Sequence, residues 1–325
     1  MFDVVHNAAK NNAMKNDELQ KSYRWCQQVA RRSHSSFYRS FALLRPDKER
    51  AMSALYAFAR IVDDVGDGDP NSRSTESLDS WRTWLDSLGS AETTKQTPEQ
   101  IALRPAFADM VSKYEVPVKL FHDLLSGIET DLQANPQKAS WNELEQYCYC
   151  VAGTVGLACV RIWGGDANAL EECAKHCGVA FQLTNILRDV REDAQQGRIY
   201  FPQDDLATFG VSRRAWLAMR PDGDWQGLLE SYVERAKANY QAGYQVGYAI
   251  EPDSQRMFHL MWSTYRRLLD EISVKLPYLF EQRVCLSSLT KFRLAATHFV
   301  TPLYLLNAPF PGAPFSGSPV LADKS

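Results

Sequence analysis

No uninterrupted apolar run in the 325-residue chain reaches the ~20 residues needed to span a bilayer. The nearest approach, Leu294–Leu306, is broken by Thr297, His298, Thr301 and Pro302 and reads as the end of a core helix. Cysteine is sparse and odd in number, seven in all, and the N-terminus carries no signal-peptide pattern. That argues against a disulfide framework and for a reducing cytoplasm. Cys148 with Cys150, and Cys173 with His176 and Cys177, match no common structural zinc spacing, and buried free thiols are ordinary in apolar helical sequence. A dominant charge is missing too. Lys and Arg number 36 against 39 Asp and Glu, a net charge of −3 with both signs interspersed, which gives no support for nucleic-acid binding. Strand alternation is nearly absent, no repeat or βαβ unit occurs, and no G-x-G-x-x-G follows a strand. NADPH therefore has no motif behind it, although binding in another way stays open.

What is present is helix. Apolar residues make up 45% of the chain, enough for a sizeable core. Helical patterning runs over 22–42, 47–64, 77–88, 104–114, 118–132, 141–163, 168–193, 226–249 and 255–276. Asp47 is placed to cap the second of these, Ser140 with Glu143 to form a capping box, and Gly164-Gly165 to end the helix that follows. The expected fold is all-α, roughly ten helices around a central cavity. Residues 17–307 are expected to form one domain, with 1–16 and 308–325 disordered and 89–100 a loop.

Two acidic stretches stand out, Asp63-Asp64-Val65-Gly66-Asp67 and Asp189-Val190-Arg191-Glu192-Asp193. Each holds carboxylates four residues apart, one turn apart on a shared helical face. Tyr56, Arg60, Asp63 and Asp67 form one stripe, and Gln182, Asn185, Asp189 and Asp193 another. A single D-x-x-x-D is usually a solvated face, worth tenths of a kcal/mol in ion pairs. Two polar stripes in segments rich in Ala, Leu, Ile and Phe are harder to dismiss. Unpaired carboxylates are costly to bury, and cations remove that cost. Mg²⁺ prefers a few carboxylates plus substrate phosphate oxygens, so the pattern predicts a diphosphate held through bridging metal.

Val151-Ala152-Gly153-Thr154-Val155-Gly156 puts two glycines inside a helix at ~1 kcal/mol each. Close helix packing and a channel widened for a bulky apolar chain both account for them. Gly197-Arg198-Ile199-Tyr200-Phe201-Pro202 reads as a loop leaving the second acidic helix. It offers a basic residue for a diphosphate and two aromatics to exclude water, or an ordinary connection between helices.

Taken together, Ser36-Phe37-Tyr38, the run from Tyr56 to Asp67, Tyr147 to Gly156, Gln182 to Asp193 and Gly197 to Pro202 resemble the squalene/phytoene synthase family, the head-to-head prenyl synthases. The resemblance spans about Ser22 to Tyr265. It implies an isoprenoid-synthase helical fold with Mg²⁺ on Asp63, Asp67, Asn185, Asp189 and Asp193. It also implies substrate contacts from Ser36, Phe37, Tyr56, Arg60, Gln182 and Arg188, with Tyr147 and Tyr265 in the cavity. A His that some relatives carry ahead of this Ser-Phe pair aligns with Ser33, so that contact is not transferred.

The chemistry implied is ionisation of one allylic diphosphate and attack on the cation by the double bond of a second. The absence of a Ser/His/Asp or Cys/His arrangement agrees with this, since no nucleophile is needed. Farnesyl diphosphate is the expected substrate, on the strength of Asp63-Asp64, giving presqualene diphosphate and squalene. Geranylgeranyl diphosphate giving phytoene is the alternative. A one-substrate terpene cyclase and a silent homologue serving as an assembly protein are the rivals, the latter disfavoured by two intact acidic pairs. Phe37, Phe41, Phe121 and Trp163 are available to close the cavity floor. A cytoplasmic protein is expected, with peripheral membrane contact open for the apolar product.

Overall fold

The structure is a computed structural model that describes residues 2–33, 36–67, 75–90, 96–132, 137–301 and 303; the side chains of 2–13, 36, 66–67 and 75–77 lie outside the description. Among the described residues there is no strand. The first half comprises α1 (Phe2–Arg32), α2 (Ser36–Ser40), α3 (Pro46–Asp67), α4 (Thr75–Asp86), α5 (Pro98–Lys113), α6 (Lys119–Asp131), α7 (Trp141–Cys148) and α8 (Thr154–Ile162). The second comprises α9 (Glu171–Arg188), α10 (Val190–Gln195), α11 (Gln203–Thr208), α12 (Arg213–Leu217), α13 (Trp225–Gly243), α14 (Val246–Ala249), α15 (Pro252–Val274) and α16 (Ser288–Val300). The all-α expectation holds.

Several boundaries differ from the sequence reading for local reasons. The helix expected from Ser22 begins at Phe2, inside the stretch expected to be disordered, while 308–325 lies outside the described residues. The stretch read as a loop up to Gln100 ends early, because Thr97 and Gln100 form a reciprocal capping box that starts α5 at Pro98. At α7 the Ser140 hydroxyl does accept from the Glu143 N–H, but the Glu143 carboxylate takes the Ala139 N–H instead of closing the box on Ser140. Asp47 does not cap; Pro46 opens α3, and Asp47 pairs with Lys113 at 3.2 Å. The helix expected around residue 294 starts earlier, at Ser288, capped by the Ser287 hydroxyl.

Two aromatic clusters hold the helices in place. Phe58 on α3 meets Trp81, Trp84, Phe107 and Phe121 at ring separations of 4.8–6.1 Å, tying α4, α5 and α6 to α3. Tyr240 on α13 meets Phe181 and Trp262, joining α9, α13 and α15. The buried rings among these, Phe58, Trp84, Phe107, Phe121 and Tyr240, each contribute ~1.5–3 kcal/mol from desolvation alone. Between the clusters run α3, α8 and α9, whose facing surfaces enclose a cavity.

Candidate functional site

Glycine sets the spacing of the cavity walls. A Cβ on Gly178 of α9 would stand 2.6 Å from the Gly153 Cα, so the two backbones touch there and neither position admits a side chain without a shift. Gly153 ends a π-helical turn, Tyr149–Gly153, which interrupts the helix expected to run unbroken from Trp141 to Trp163. The small-residue run serves close packing and also lines the cavity. Gly153 serves close packing, while Val151, Ala152, Val155 and Gly156 line the cavity.

The cavity has a volume of about 340 Å³. Its walls include Phe37, Tyr56, Arg60, Asp63, Tyr147, Gln182 and Asn185, so residues from four separated sequence motifs converge on one space. Phe37 stacks on Tyr56 at 6.3 Å, and the Tyr56 hydroxyl donates to Ser33 Oγ at 2.9 Å. Arg60 Nε donates to Asp64 Oδ2 at 3.2 Å, and Arg60 Nη1 lies 3.7 Å from Asp63. The side chains of Ser36 and Asp67, both expected in the site, lie outside the described residues.

On α9, Gln182 Oε1 accepts from Asn185 Nδ2 at 3.3 Å, and Asn185 Oδ1 is buried with no hydrogen-bond partner among the described residues. The helix expected to run on through Asp193 breaks at Asp189, yet the turn-by-turn stacking survives. Asp189 N–H donates to Asn185 O, and Asp193 N–H to Asp189 O, both at 2.9 Å. Asp189 is gripped by Arg188 at 2.8 and 2.5 Å and by Arg283 at 2.7 Å. Burial, then the neighbouring Asp189 carboxylate, push Asp193 up to about 8. Asp189, Asp193, Arg188 and Tyr265 are not walls of the cavity itself; Tyr265 packs on the wall residue Phe181 at 4.7 Å.

Sequence reasoning missed Asp131 and Lys138. Asp131 ends α6 and lines the cavity, accepting from the Tyr147 hydroxyl at 2.7 Å, while its Oδ1 is buried without a partner. Burial raises its carboxyl above the ordinary 3.8, against the pull of Tyr147, Lys138 and Arg198. Lys138 is buried, sits 4.7 Å from the Tyr147 ring and donates to Thr130 Oγ1 at 3.2 Å. Tyr200 stacks on Tyr147 at 5.4 Å, so the loop after the second acidic motif closes this corner. The only advance signal was the spacing of Asp131 and Tyr147 across one short connection, which is weak. Of the four residues available for the floor, Phe37 and Trp163 line the cavity; Phe41 and Phe121 lie in the core behind it. Cys148 and Cys177 are buried, and His176 Nδ1 bonds Asn239 Oδ1 at 2.7 Å.

Among the described residues, no three His, Cys, Asp or Glu side chains are grouped so as to hold a metal by themselves. A donor set completed by ligand oxygens is what Mg²⁺ ordinarily takes.

A sequence profile of the squalene/phytoene synthase family matches residues 30–290. The phytoene synthase of Mycobacterium tuberculosis is 34% identical over 284 residues, covering 86% of this chain and 91% of that protein. That of Arthrospira platensis is 33% identical, covering 81% and 87% respectively. Among solved structures, a ligand-bound dehydrosqualene synthase superposes with a TM-score of 0.77 at 28% identity, covering 88% of this chain and 98% of that one. The squalene synthase HpnC of Alicyclobacillus acidocaldarius gives 0.70 at 25% identity, covering 79% and 95%. Such enzymes use a divalent metal in binding prenyl diphosphates. With its fold and most of its length matched, the chain belongs to the squalene/phytoene synthase family, the prenyltransferases that condense two prenyl diphosphates head to head.

Proposed function

We propose that the protein condenses two farnesyl diphosphates to presqualene diphosphate, the precursor of squalene, and does so with Mg²⁺. The observation that carries this reading is the pairing of an apolar cavity with one polar end. Asp63 and Asn185 both line it, and the Asn185 carbonyl oxygen is buried without a partner among the described residues. A buried acceptor left unsatisfied costs ~1–3 kcal/mol, and a cation removes that cost. The residues thus fit a metal, with Asp63, Asp67, Asn185, Asp189 and Asp193 as its donors. The bound metal would supply charge neutralisation and Lewis-acid assistance to carbon–oxygen cleavage.

The protein's own groups do the rest. Arg60 and Arg188 orient the departing diphosphate, with Gln182 holding the Asn185 amide by the hydrogen bond between them. Phe37, Tyr56 and Phe181 line the cavity as aromatic groups for the allylic cation, a cation–π contribution of ~0.5–2 kcal/mol each where a ring face meets it. Val151, Ala152, Val155 and Gly156 keep water out. The double bond of the second substrate attacks the cation. Loss of one proton then closes the cyclopropane, so two farnesyl diphosphates become presqualene diphosphate, pyrophosphate and H⁺. The Tyr147–Asp131 pair is the polar group placed to receive that proton, because its carboxylate has one oxygen without a partner. Ser36 and Tyr265 are assigned substrate contacts from their motifs.

A second reading, phytoene from geranylgeranyl diphosphate, is favoured by one observation: relatives at 33–34% identity are named phytoene synthase. Lipid extracted after incubation with each substrate, with and without NADPH, decides between them. Presqualene diphosphate or squalene from farnesyl diphosphate supports the first reading. Phytoene with little farnesyl turnover supports the second.

The apolar product also motivates peripheral membrane contact. No helix among the described residues is long and apolar enough to cross a membrane. α16 carries Lys291 and Arg293, no acidic residue, and an exposed face of Leu289, Phe292, Phe299 and Val300, which suits an anionic lipid surface. Co-sedimentation with phosphatidylglycerol vesicles, lost in Phe292→Ser/Phe299→Ser, checks it; equal sedimentation of the double variant rejects it.

A further inference from the structure

The geometry points to Trp163 as the residue that sets prenyl chain length, with Lys48 as the clamp that holds it in place. This inference rests on the cavity being a prenyl-chain site.

Trp163 lies at the end of the cavity opposite the acidic residues. Lys48 and Asp63 are fifteen residues apart on α3, about 22 Å along its axis. Lys48 Nζ donates to the Trp163 carbonyl at 3.2 Å, which places Trp163 level with the far end of α3. The pairing of α8 and α9 agrees. Gly178 meets Gly153 and the Ala174 carbonyl meets Gly156, so the two helices run antiparallel. Asn185 therefore belongs to the Tyr147 end, and Trp163 to the other. Cys159, Val160, Val246, Phe258 and Met261 complete the wall there, all smaller than the indole.

The ring is held by its backbone and its packing. It is 2% exposed and meets Phe258 edge-on at 6.0 Å. Its indole Nε1 has no hydrogen-bond partner among the described residues, although a buried Trp N–H usually finds one. The position uses the bulk of the ring and forgoes the polar bond.

The clamp is unusually complete. Lys48 is buried, and besides the Trp163 carbonyl it binds Glu251 at 2.7 Å, Asp253 at 2.6 Å and Ser254 Oγ at 3.0 Å. The same carbonyl accepts the Glu251 N–H at 3.1 Å. A buried ammonium held by two carboxylates, a hydroxyl and a carbonyl resists displacement, because moving it would take the charge away from its partners. A chain one isoprene unit too long therefore meets an indole whose backbone is pinned by Lys48 and whose ring packs edge-on against Phe258.

The test measures kcat/KM of Trp163→Leu and Trp163→Ala with geranyl, farnesyl, geranylgeranyl and geranylfarnesyl diphosphates in the presence of Mg²⁺. For these variants, the ratio of the next-longer substrate to the one the wild type prefers should rise by about tenfold or more, since a single methylene already discriminates by about that factor. Trp163→Phe should fall between. An unchanged ratio, or an equal loss on every substrate, overturns the assignment. Should Trp163→Ala fail to fold, Cys159→Phe narrows the same end and should move preference toward the shorter chain; no movement overturns it as well. A wild type that prefers geranylgeranyl diphosphate refutes the farnesyl reading alone, because the shift is judged from the wild-type optimum. A wild type that turns over none of the four refutes both.

Discussion

A lone carboxylate near a helix end, as Asp131 reads in sequence, is usually solvated, and only the fold buries it beside Tyr147 and Lys138. Its raised pKa has a sign that can be tested. Between the ordinary 3.8 and the raised folded value the native protein holds a proton that the unfolded chain has released, so stability falls as pH rises through that window. Asp131→Asn can keep an acceptor for Tyr147 while removing the charge. In protein stripped of divalent ions, its urea midpoint should exceed the wild type's at pH 7, with the gain shrinking as pH approaches 3.8. A constant difference across that range would contradict the assignment.

The acidic pairs carry the opposite expectation. Asp63 is 55% exposed and only 3.7 Å from Arg60, a pair of little structural worth. Asp63→Asn and Asp189→Asn should remain folded by circular dichroism yet lose turnover on the order of 10²-fold or more. An unaltered Mg²⁺ dependence of activity in either variant would remove it from the donor set. Arg60 poses a finer question, because it binds Asp64 through two nitrogens. If it also reaches the diphosphate, Arg60→Lys should lower kcat/KM by about tenfold with little change in Tm, since the planar fork is lost while the charge stays. Near-normal kinetics would leave Arg60 only the task of neutralising Asp64.

At the scale of elements, periodicity located the long helices because each buries a continuous apolar stripe, as α3 and α15 do. It did not reveal the interruptions. The π turn at Tyr149–Gly153 and the break at Asp189 leave the apolar spacing nearly intact, so no change of period marks them. The glycines were visible, but their neighbours were not: Gly153 and Gly156 both approach α9, and Gly156 also lines the cavity. Gly178, unremarked in sequence, is the tightest point of this interface. Gly178→Ala would press a methyl to 2.6 Å from backbone that cannot rotate away. Overpacking of this kind costs ~1–3 kcal/mol. The expected result is a lower urea midpoint together with reduced turnover, because the same displacement moves Gln182 and Asn185. A variant as stable as the wild type would show that the two helices have room to separate.

For the whole molecule, the helices that frame the cavity bring different groups to it: Arg60 and Asp63 from α3, the amides Gln182 and Asn185 from α9, and small apolar residues from the π turn and α8. No one of them forms a metal site, and among the described residues no cluster of three acidic, His or Cys groups exists. On the proposed reading, metal and diphosphate are mutually dependent ligands. Each supplies oxygens or charge that the other needs, so their binding should be coupled. The readout is thermal stability with a non-ionising farnesyl thiodiphosphate. With Mg²⁺ and analogue at a hundredfold excess over its Kd, the native state should gain ~2.7 kcal/mol and a correspondingly higher Tm. Mg²⁺ alone or the analogue with EDTA should give much smaller shifts; Asp63→Asn should lose the combined gain while keeping the ligand-free Tm, and Asp189→Asn should lose it from a lower ligand-free Tm, because Arg188 and Arg283 lose their carboxylate. A full shift with EDTA present would mean that the arginines hold the diphosphate unaided. The acidic pairs would then need another explanation, although the apolar cavity would still select the chain.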